Sequence, residues 1–451
     1  MKQSAAIAPG RLSPSDYARN FGEAKPALEP RQALVDSSRC LFCYDAPCVE
    51  ACPTGIDIPS FIHKIGTGNL KGAALDILSQ NIMGGMCARV CPTEVLCEQA
   101  CVRNASEGKP VRIGLLQRHA TDWLLGRAIQ PFRRAPATGR RVAVVGGGPA
   151  GLACAHRLAM LGHAVTVFEA RPKLSGLNEY GVAAYKTPFG FAQREVDFIL
   201  GIGGIDVRVN HALGREVALR ALRRDYDAVF LGIGLVGTKA LELPGEALAG
   251  VEDAVAYIER LRQSEDLARL PVGRRVVAIG GGNTAIDIAV QARRLGAEDV
   301  TIVYRRGPEA MSATDHEREF AQINGVRIKH WARPVRLLGE AGRLVCAQFE
   351  RTGLDSTGRL IGTGETFSLE ADQLFKAIGQ VLVPDPLQEA TEQVLEMQDG
   401  KITVDAQRHT SLPGVWAGGD CVAGVDLTVQ AVQDGKVAAH AIDRWLRAGT
   451  R

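Results

Sequence analysis

Eight cysteines lie between residues 40 and 101, in two groups that each contain a Cys-Pro step. The groups are Cys40, Cys43, Cys48 and Cys52 before Pro53, and Cys87, Cys91, Cys97 and Cys101, with Pro92 after Cys91. In ferredoxin-type runs the cysteine that precedes proline ligates the other cluster of a two-cluster pair. This rule groups Cys40, Cys43 and Cys48 with Cys101. It groups Cys52 with Cys91 and Cys97, which leaves a second [4Fe-4S] cluster one ligand short.

Spacing leaves two alternatives open for these cysteines. Cys87 stands one helical turn before Cys91 and is a candidate for the missing ligand. Zinc is the other alternative, because a Cys-X2-Cys pair suits either metal. Eight thiolates upstream of two nucleotide loops favour electron transfer. The remaining cysteines, Cys154, Cys346 and Cys421, are single and are predicted to pack as small apolar side chains.

The first nucleotide loop, GGGPAG, follows a predicted strand at 142–145 and opens a predicted helix at 149–161. Three glycines have separate tasks: a tight turn, close approach to a pyrophosphate, and close packing of helix on strand. The helix N-terminus attracts the phosphate charge. An acid ends the next strand and is predicted to accept hydrogen bonds from a ribose. The site residues predicted here are Gly146, Gly148, Pro149, Ala150, Gly151 and Glu169.

The second loop, GGGNTA at 280–285, repeats this pattern with alanine in place of the third glycine. Its site residues are Gly281, Gly282, Asn283 and Thr284. The next strand, at 300–304, ends in Arg305 and Arg306 rather than in an acid. Two guanidinium groups suit a 2'-phosphate, so the sequence favours NADPH while leaving NADH possible. A solvated basic strand end is the alternative.

The C-terminal part decides which loop holds the flavin. An apolar strand runs into Gly418-Gly419-Asp420, where an acid can bind the ribityl chain of FAD. Segments 227–234 and 375–379 are typical of the two crossings of a flavoprotein whose NAD(P) domain is inserted into its FAD domain. The predicted fold is α/β, with a helical iron–sulfur domain followed by two Rossmann-like domains. The predicted bounds are 1–138 for the iron–sulfur domain, 139–245 and 377–451 for the FAD domain, and 246–376 for the NAD(P) domain.

Composition excludes several other classes of protein. The chain has 451 residues, 46% of them hydrophobic, and a formal charge of +3, which is too small to predict a nucleic-acid partner. No apolar run is long enough to predict a membrane span, and the N-terminus lacks a secretory pattern. We therefore expect a cytoplasmic protein, where a cysteine-dense segment indicates a metal site rather than disulfides.

At this point the chain resembles the reductase half of dihydropyrimidine dehydrogenases, which bacteria make as a separate subunit, and more distantly the small chain of glutamate synthase. The resemblance covers about residues 30–445 and rests on residues 40–48 (CLFCYDAPC), 91–93 (CPT) and 113–117 (IGLLQ). In the dihydropyrimidine dehydrogenases a glutamine at the position of Gln117 completes the second cluster. The resemblance thus implies Gln117 as the missing ligand and Cys87 as a non-ligand.

The same resemblance implies further cofactor contacts. For FAD these are Gly176, Leu177, Lys186, Leu213, Asp420 and Thr428, in addition to the first loop. For the nicotinamide cofactor they are Arg305, Arg306 and Ala377 to Gly379, in addition to the second loop. Lys186 is predicted to stabilise charge on the reduced flavin. Two positions depart from the family pattern: Ser175 replaces a glycine, and Ser312 stands where some relatives have a third arginine.

The function implied is electron transfer from NAD(P)H through FAD and two [4Fe-4S] clusters. The predicted partner is an FMN-containing catalytic subunit, in a heterotetramer, which reduces uracil or thymine to the 5,6-dihydro product. No barrel-like set of βα units for FMN is recognisable in the sequence. The alternatives are the glutamate synthase small chain and, from another class, a non-catalytic redox sensor or zinc scaffold. Gln117 and the segment Asn178-Glu179-Tyr180 favour the pyrimidine branch.

Overall fold

A computed structural model of the chain describes residues 6–384, 387 and 395–449. The chain divides into two compact units. The small unit contains residues 6–24, Tyr180–Pro188 and Gly237–Val381, and the large unit contains Lys25–Glu179, Phe189–Val236 and the described part of Leu382–Arg451. The outermost residues of the predicted first and last domains lie outside the described residues.

The helices alternate with strands beyond residue 140, as the predicted α/β class requires. In chain order the helices are α1 (Pro14–Asn20), α2 (Pro30–Ser37), α3 (Pro47–Glu50), α4 (Ile58–Gly66), α5 (Leu70–Gln80), α6 (Gly84–Val90), α7 (Val102–Glu107), α8 (Ile113–Leu125), α9 (Pro149–Met160), α10 (Leu177–Tyr180), α11 (Phe191–Leu200), α12 (Leu219–Asp225), α13 (Ala254–Gln263), α14 (Asn283–Arg294), α15 (Asp315–Ile323) and α16 (Thr428–Arg447). Short 3-10 turns occupy Thr93–Val95, Leu267–Arg269 and Pro308–Ala310.

The strands are short in both nucleotide-binding sheets. In chain order they are β1 (Ile7–Ala8), β2 (Arg141–Val145), β3 (Ala164–Glu169), β4 (Ile205–Val209), β5 (Ala228–Leu231), β6 (Gly237–Thr238), β7 (Val251–Asp253), β8 (Val272–Gly273), β9 (Arg275–Ile279), β10 (Asp299–Val303), β11 (Arg327–Lys329), β12 (Ala332–Glu340), β13 (Arg343–Leu354), β14 (Leu360–Glu370), β15 (Gln373–Lys376), β16 (Gln380–Val381), β17 (Met397–Gln398), β18 (Lys401–Ile402) and β19 (Val415–Ala417).

The large unit contains a parallel sheet in the order β19-β5-β2-β3-β4. Strand β2 is almost wholly apolar because both of its faces are covered. Helix α9 begins at Pro149, whose fixed φ suits the first helical position. It packs lengthwise on α16. The chain runs outward from β2 through β3 to β4 and then crosses back to β5 on the other side of β2, so a ligand crevice is expected at the carboxyl ends of β2 and β5.

The cysteine-rich helices belong to the same compact unit as this sheet. Helices α4 and α5 start at side-chain caps, where Asp57 accepts from the Ser60 amide (3.0 Å) and Asn69 from the Gly72 amide (2.9 Å). Their apolar faces pack with α8. Met83 lies just before α6, and Met86 lies within it. Both share one hydrophobic core with Val144 of β2 and Val167 of β3. The cysteine-rich helices and this sheet are therefore packed on a common interior.

The small unit has its own parallel sheet in the order β11-β10-β9-β15-β7. Beside it is an antiparallel sheet, β12-β13-β14. Two ribbons, β1-β8 and β6-β16, complete the unit. Helix α14 follows β9 directly through the second loop, as the repeated pattern predicted. Within the described part of the chain, no helix combines the length and the apolar character that crossing a membrane requires.

Candidate functional site: two cysteine sets and two nucleotide loops

The first cysteine set brings together the residues that the Cys-Pro rule grouped. Burial raises the pKa of Cys48 to about 12, and the neighbouring charges of Cys40, Cys101 and Cys43 add to that shift. Burial likewise raises the pKa of Cys40, with Cys43 and Cys101 as its charged neighbours. Thiols crowded in this way resist deprotonation unless a cation neutralises them. The iron ions of a [4Fe-4S] core provide that positive charge, so these four side chains fit such a cluster.

The second set contains Cys52, Cys91 and Cys97, and the structure adds Cys87 to it. A hydrogen bond with Cys87 is the largest cause that raises the pKa of Cys91, followed by burial and by the charges of Cys87, Cys97 and Cys52. Burial raises the pKa of Cys97, and Cys52 is among its charged neighbours. Among the described residues, no group of three or more His, Cys, Asp or Glu side chains meets the geometry of a metal-ion site.

Gln117 lies on α8 and is buried against the N-terminal end of α6. Its side-chain nitrogen donates to the carbonyl of Gly84 at 2.7 Å. Helix α6 contains Cys87 and is followed directly by Cys91, so Gln117 of α8 contacts the helix that leads into the second set. Cys87 contacts Cys91 directly, whereas the side chain of Gln117 is hydrogen-bonded to backbone. The ligand assignment of Gln117 remains a prediction.

The first nucleotide loop has the close approaches that its glycines predicted. Gly146 has a φ of +98°, and a Cβ there would lie 2.2 Å from the Gly232 carbonyl oxygen. A Cβ on Gly151 would lie 1.9 Å from the carbonyl oxygen of Gly146. Only glycine can be accommodated at these two positions. The loop therefore places the backbone amides at the start of α9 where a pyrophosphate would bind.

Glu169 holds this loop from the end of β3. Its carboxylate accepts from the Gly147 amide at 2.7 Å and from the Arg171 amide at 2.9 Å. Burial raises the pKa of Glu169, and these two amides oppose the shift. The predicted ribose acceptor thus also fixes the loop. Ser175, at the position that departs from the family, has a φ of +87°, and its buried hydroxyl has no partner among the described residues.

Several of the remaining predicted FAD residues belong to the large unit. The Thr428 hydroxyl donates to the Asn178 side chain at 2.9 Å, just after Gly176 and Leu177. Burial raises the pKa of Asp420 to about 6, with Asp426 adding to the shift. Leu213 forms an isolated bridge with Val217.

Sequence reasoning missed Asp434, which holds the Gly418-Gly419-Asp420 turn. Its carboxylate accepts from the Gly419 amide at 3.0 Å and pairs with Arg408 at 2.6 Å. Asp434 is buried within α16, two turns after that helix begins. The available signal was an acid on the otherwise apolar, buried face of a helix, because a buried carboxylate must find a hydrogen-bond donor.

The second loop, in the small unit, is built in the same way. Gly280 has a φ of +153°, and a Cβ there would lie 2.2 Å from the carbonyl oxygen of Ala377. A Cβ on Gly281 would meet the ring of Tyr304 at 2.4 Å. The side-chain oxygen of Asn283 is buried without a partner among the described residues, which suits a polar ligand. Gly379 adopts a φ of +104° in the loop after β15.

Two predicted residues lie beside this loop, at the end of β10. Arg305 and Arg306 are both exposed. Neither guanidinium is paired with an acid among the residues that the structure describes. Ser312 lies close to the loop, with its hydroxyl 3.1 Å from where a Cβ on Gly282 would be. The two arginines are therefore placed and available for an anionic group on a bound nucleotide.

Lys186 is located in the small unit. Its ammonium pairs with Asp287 of α14 and Glu317 of α15, both at 2.9 Å. Burial acts to lower the pKa of Lys186, but the two carboxylates outweigh burial and raise it. The Tyr185 hydroxyl also donates to Asp287 at 3.2 Å. The structure thus surrounds Lys186 with acids of the small unit, and its role beside the flavin stays a prediction.

Comparison with known proteins supplies the family. Residues 17–129 match the family described as "Dihydroprymidine dehydrogenase domain II, 4Fe-4S cluster", and residues 140–435 match "Pyridine nucleotide-disulphide oxidoreductase". The NAD-dependent dihydropyrimidine dehydrogenase subunit PreT of Salmonella typhimurium is 34% identical over 425 residues, which cover 94% of this chain and 97% of that protein. The chain belongs to the PreT family. The predicted family, fold class and oxidoreductase activity are thereby confirmed.

Relatives of this chain extend beyond PreT. The NADPH-Fe(3+) oxidoreductase subunit beta of Geobacter sulfurreducens is 33% identical over 437 residues, covering 90% of this chain and 64% of that protein. The fold also resembles Mycobacterium tuberculosis FprA in complex with NADPH, with a TM-score of 0.57 and 22% identity over 70% of this chain and 86% of that chain. The two family matches and the likeness to PreT confirm FAD, [4Fe-4S] and NAD(P)H as the cofactors of this PreT-family chain.

Proposed function

We propose that this chain is the electron-input subunit of a cytoplasmic dihydropyrimidine dehydrogenase. Electrons from NAD(P)H pass through FAD and two [4Fe-4S] clusters to a partner subunit. The partner contains FMN, forms a heterotetramer with this chain, and reduces uracil or thymine to the 5,6-dihydro product. When bound, FAD accepts a hydride from the nicotinamide, and the clusters carry single electrons. The residues of the chain bind and orient these groups.

One observation carries the direction of transfer: helix α6, which contains Cys87 and leads to Cys91, is contacted by residues of the proposed flavin-binding region. Glu195 of α11 accepts from the Met86 amide at 2.9 Å, within the helix that leads to Cys91. The Asn178 amide contacts the Met83 sulfur at 4.0 Å, and Asn178 is bonded to Thr428. The second cluster is therefore proposed as the first acceptor after the flavin.

The first set lies on the exposed side of the cysteine-rich region. Large apolar side chains around its loop are exposed, among them Leu41 (54%), Phe42 (47%) and Tyr44 (106%). Isolated exposed apolar residues need no explanation, but several beside one cofactor site indicate an interaction surface. We propose that electrons leave through the first cluster to the partner at this surface.

The ligand set of the second cluster follows from the same proposal. Cys52, Cys91 and Cys97 would hold it together with Gln117, and Cys40, Cys43, Cys48 and Cys101 would hold the first. Two matched variants separate Gln117 from Cys87. Gln117→Leu should change the EPR signal of one reduced cluster or lower the iron content, whereas Cys87→Ala should retain both clusters. The reverse result would assign Cys87 as the ligand.

A reconstitution experiment tests the function. The purified chain should oxidise NAD(P)H with an artificial acceptor dye and leave uracil unchanged. Adding the FMN-containing partner should start dihydrouracil formation, measured by chromatography with each nicotinamide cofactor. Uracil reduction by the chain alone would contradict the division between two subunits. Glutamate formation with a glutamine-dependent large subunit, and no dihydrouracil with the FMN partner, would assign the chain to the glutamate synthase branch.

A further inference from the structure

A lysine from the flavin-binding half reaches the turn that contains Cys52. Lys436 lies on α16, and its ammonium donates to the carbonyl oxygen of Thr54 at 2.8 Å and to the side-chain oxygen of Gln80 at 3.2 Å. Thr54 is buried, and its hydroxyl is 3.3 Å from the Cys52 sulfur. The Gly55 amide donates to the Cys52 carbonyl at 2.9 Å, which closes the turn. The ammonium thus contacts Thr54, which in turn contacts the proposed cluster ligand Cys52.

This ammonium has no carboxylate partner among the residues that the structure describes. Its two acceptors are neutral oxygens. Burial lowers the pKa of Lys436 to about 8, the charge of Arg157 adds to that, and the charge of Cys52 opposes it. A half-buried cation without an acid is costly unless another anion is near. The thiolate of Cys52, and the cluster it would hold, provide that anion.

Arg157 places a second cation on the same side. It lies on α9, and its guanidinium donates to the Ser79 carbonyl at 2.6 Å, next to Gln80. Helices α9 and α16, which frame the first nucleotide loop, therefore both direct positive charge toward the end of α5 and the Cys52 turn.

We propose that Lys436 is a positioning residue that raises the reduction potential of the second cluster. One-electron reduction, with the electron supplied by the flavin, adds one negative charge to the cluster. A fixed positive charge beside Cys52 stabilises that reduced form more than the oxidised form. Lys436 thereby favours transfer from the flavin toward the cluster over the reverse step. This inference rests on the proposed assignment of Cys52 to the second cluster.

The test is an anaerobic redox titration of the flavin- and iron-loaded chain, followed by EPR of the reduced clusters. Lys436→Gln keeps a donor for Thr54 but removes the charge, so one of the two cluster midpoint potentials should fall while the other is unchanged. Lys436→Arg should keep both potentials near those of the wild type. Arg444→Gln, which removes a charge two turns further along α16, should also leave both unchanged.

Two outcomes would overturn the proposal: unchanged potentials in Lys436→Gln, or an equal shift of both clusters. If Lys436→Gln fails to bind iron, Gln80→Glu replaces it as the test. A new carboxylate beside the ammonium should lower the midpoint potential of one cluster and leave that of the other unchanged. Iron and flavin content of the wild type separates this inference from the proposed function. A wild-type chain without two clusters contradicts the function itself, whereas a loaded wild type with insensitive potentials contradicts only the role of Lys436.

Discussion

Replacing Gly435 by alanine should weaken the large unit and its retention of FAD. Gly435 lies within α16 at its crossing with α9, where a Cβ would be 2.1 Å from the Ala150 carbonyl oxygen and 2.9 Å from the Cys154 amide nitrogen. These are backbone atoms of the helix that opens with the first nucleotide loop. The two helices would have to separate by more than an ångström before an ordinary contact of 3.4 Å was restored.

The magnitude follows from two opposing effects. Alanine in place of glycine inside a helix ordinarily stabilises by about 1 kcal/mol. Overpacking of a close-packed interior costs about 1–3 kcal/mol. Because the obstructing atoms are backbone, we take the upper end of that cost and expect a net loss of about 2 kcal/mol, which lowers the melting temperature by roughly 4–8 °C for a unit of this size. Displacement of α9 should also release FAD, because the amides that bind the pyrophosphate lie in its first turn.

Thermal unfolding and flavin content of the purified variant check this prediction. Gly66→Ala is the matched control in the same unit, since Gly66 is exposed in α4 and a Cβ there meets only the Ser37 hydroxyl at 3.4 Å. That control should melt at or slightly above the wild-type temperature. If Gly435→Ala melts as high as the control and keeps its flavin, the reasoning from the helix crossing is wrong.

Three further predictions concern the nucleotide site, a buried acid and the partner surface. Changing Arg305 and Arg306 together to glutamine should raise KM for NADPH at least tenfold with little change for NADH, and equal effects on both cofactors would contradict the assigned 2'-phosphate contact. Burial raises the pKa of Glu195 to about 8, above its unfolded value of 4.5. The free energy of unfolding should therefore decrease as the pH rises from 4.5 to about 8, because only the unfolded chain releases this proton in that range. Glu195→Gln should flatten that decline in melting curves taken from pH 5 to 8, and parallel curves for the two proteins would argue against it. Tyr44→Asp should raise KM for the FMN-containing partner several-fold while dye reduction by NAD(P)H stays at the wild-type rate, and a loss of dye reduction would instead indicate a damaged cluster.

Much of the fold could be predicted because its elements carry local signals. The predicted strand at 142–145 and helix at 149–161 correspond to Arg141–Val145 and Pro149–Met160, within a residue at each boundary. The same holds for the second loop, where β9 and α14 follow the predicted pattern. Buried parallel strands, glycine turns and helix-starting residues all act over a few positions, so the sequence alone indicates them.

Contacts between distant segments were not readable in this way. Nothing local to Asp434 indicates that it binds the Gly419 amide, and nothing local to Lys186 indicates that Asp287 and Glu317 surround it. The extended sheet β12-β13-β14 of the small unit was likewise not anticipated. Tertiary packing decides such pairings, and a single sequence without relatives contains no record of it.

The common interior of the large unit has a practical consequence for protein engineering. Met83 and Met86 fill space against Val144, Val167 and their neighbours. Glu195 accepts a hydrogen bond from the Met86 amide in the first turn of α6. A fragment starting at residue 139 would lack both methionines. It would expose to water the apolar side chains that they cover, and we expect it to aggregate. We therefore expect that a chain without residues 1–138 does not fold as a free flavoprotein. Iron starvation of an expression host should then reduce the yield of flavin-containing protein as well as of iron-loaded protein.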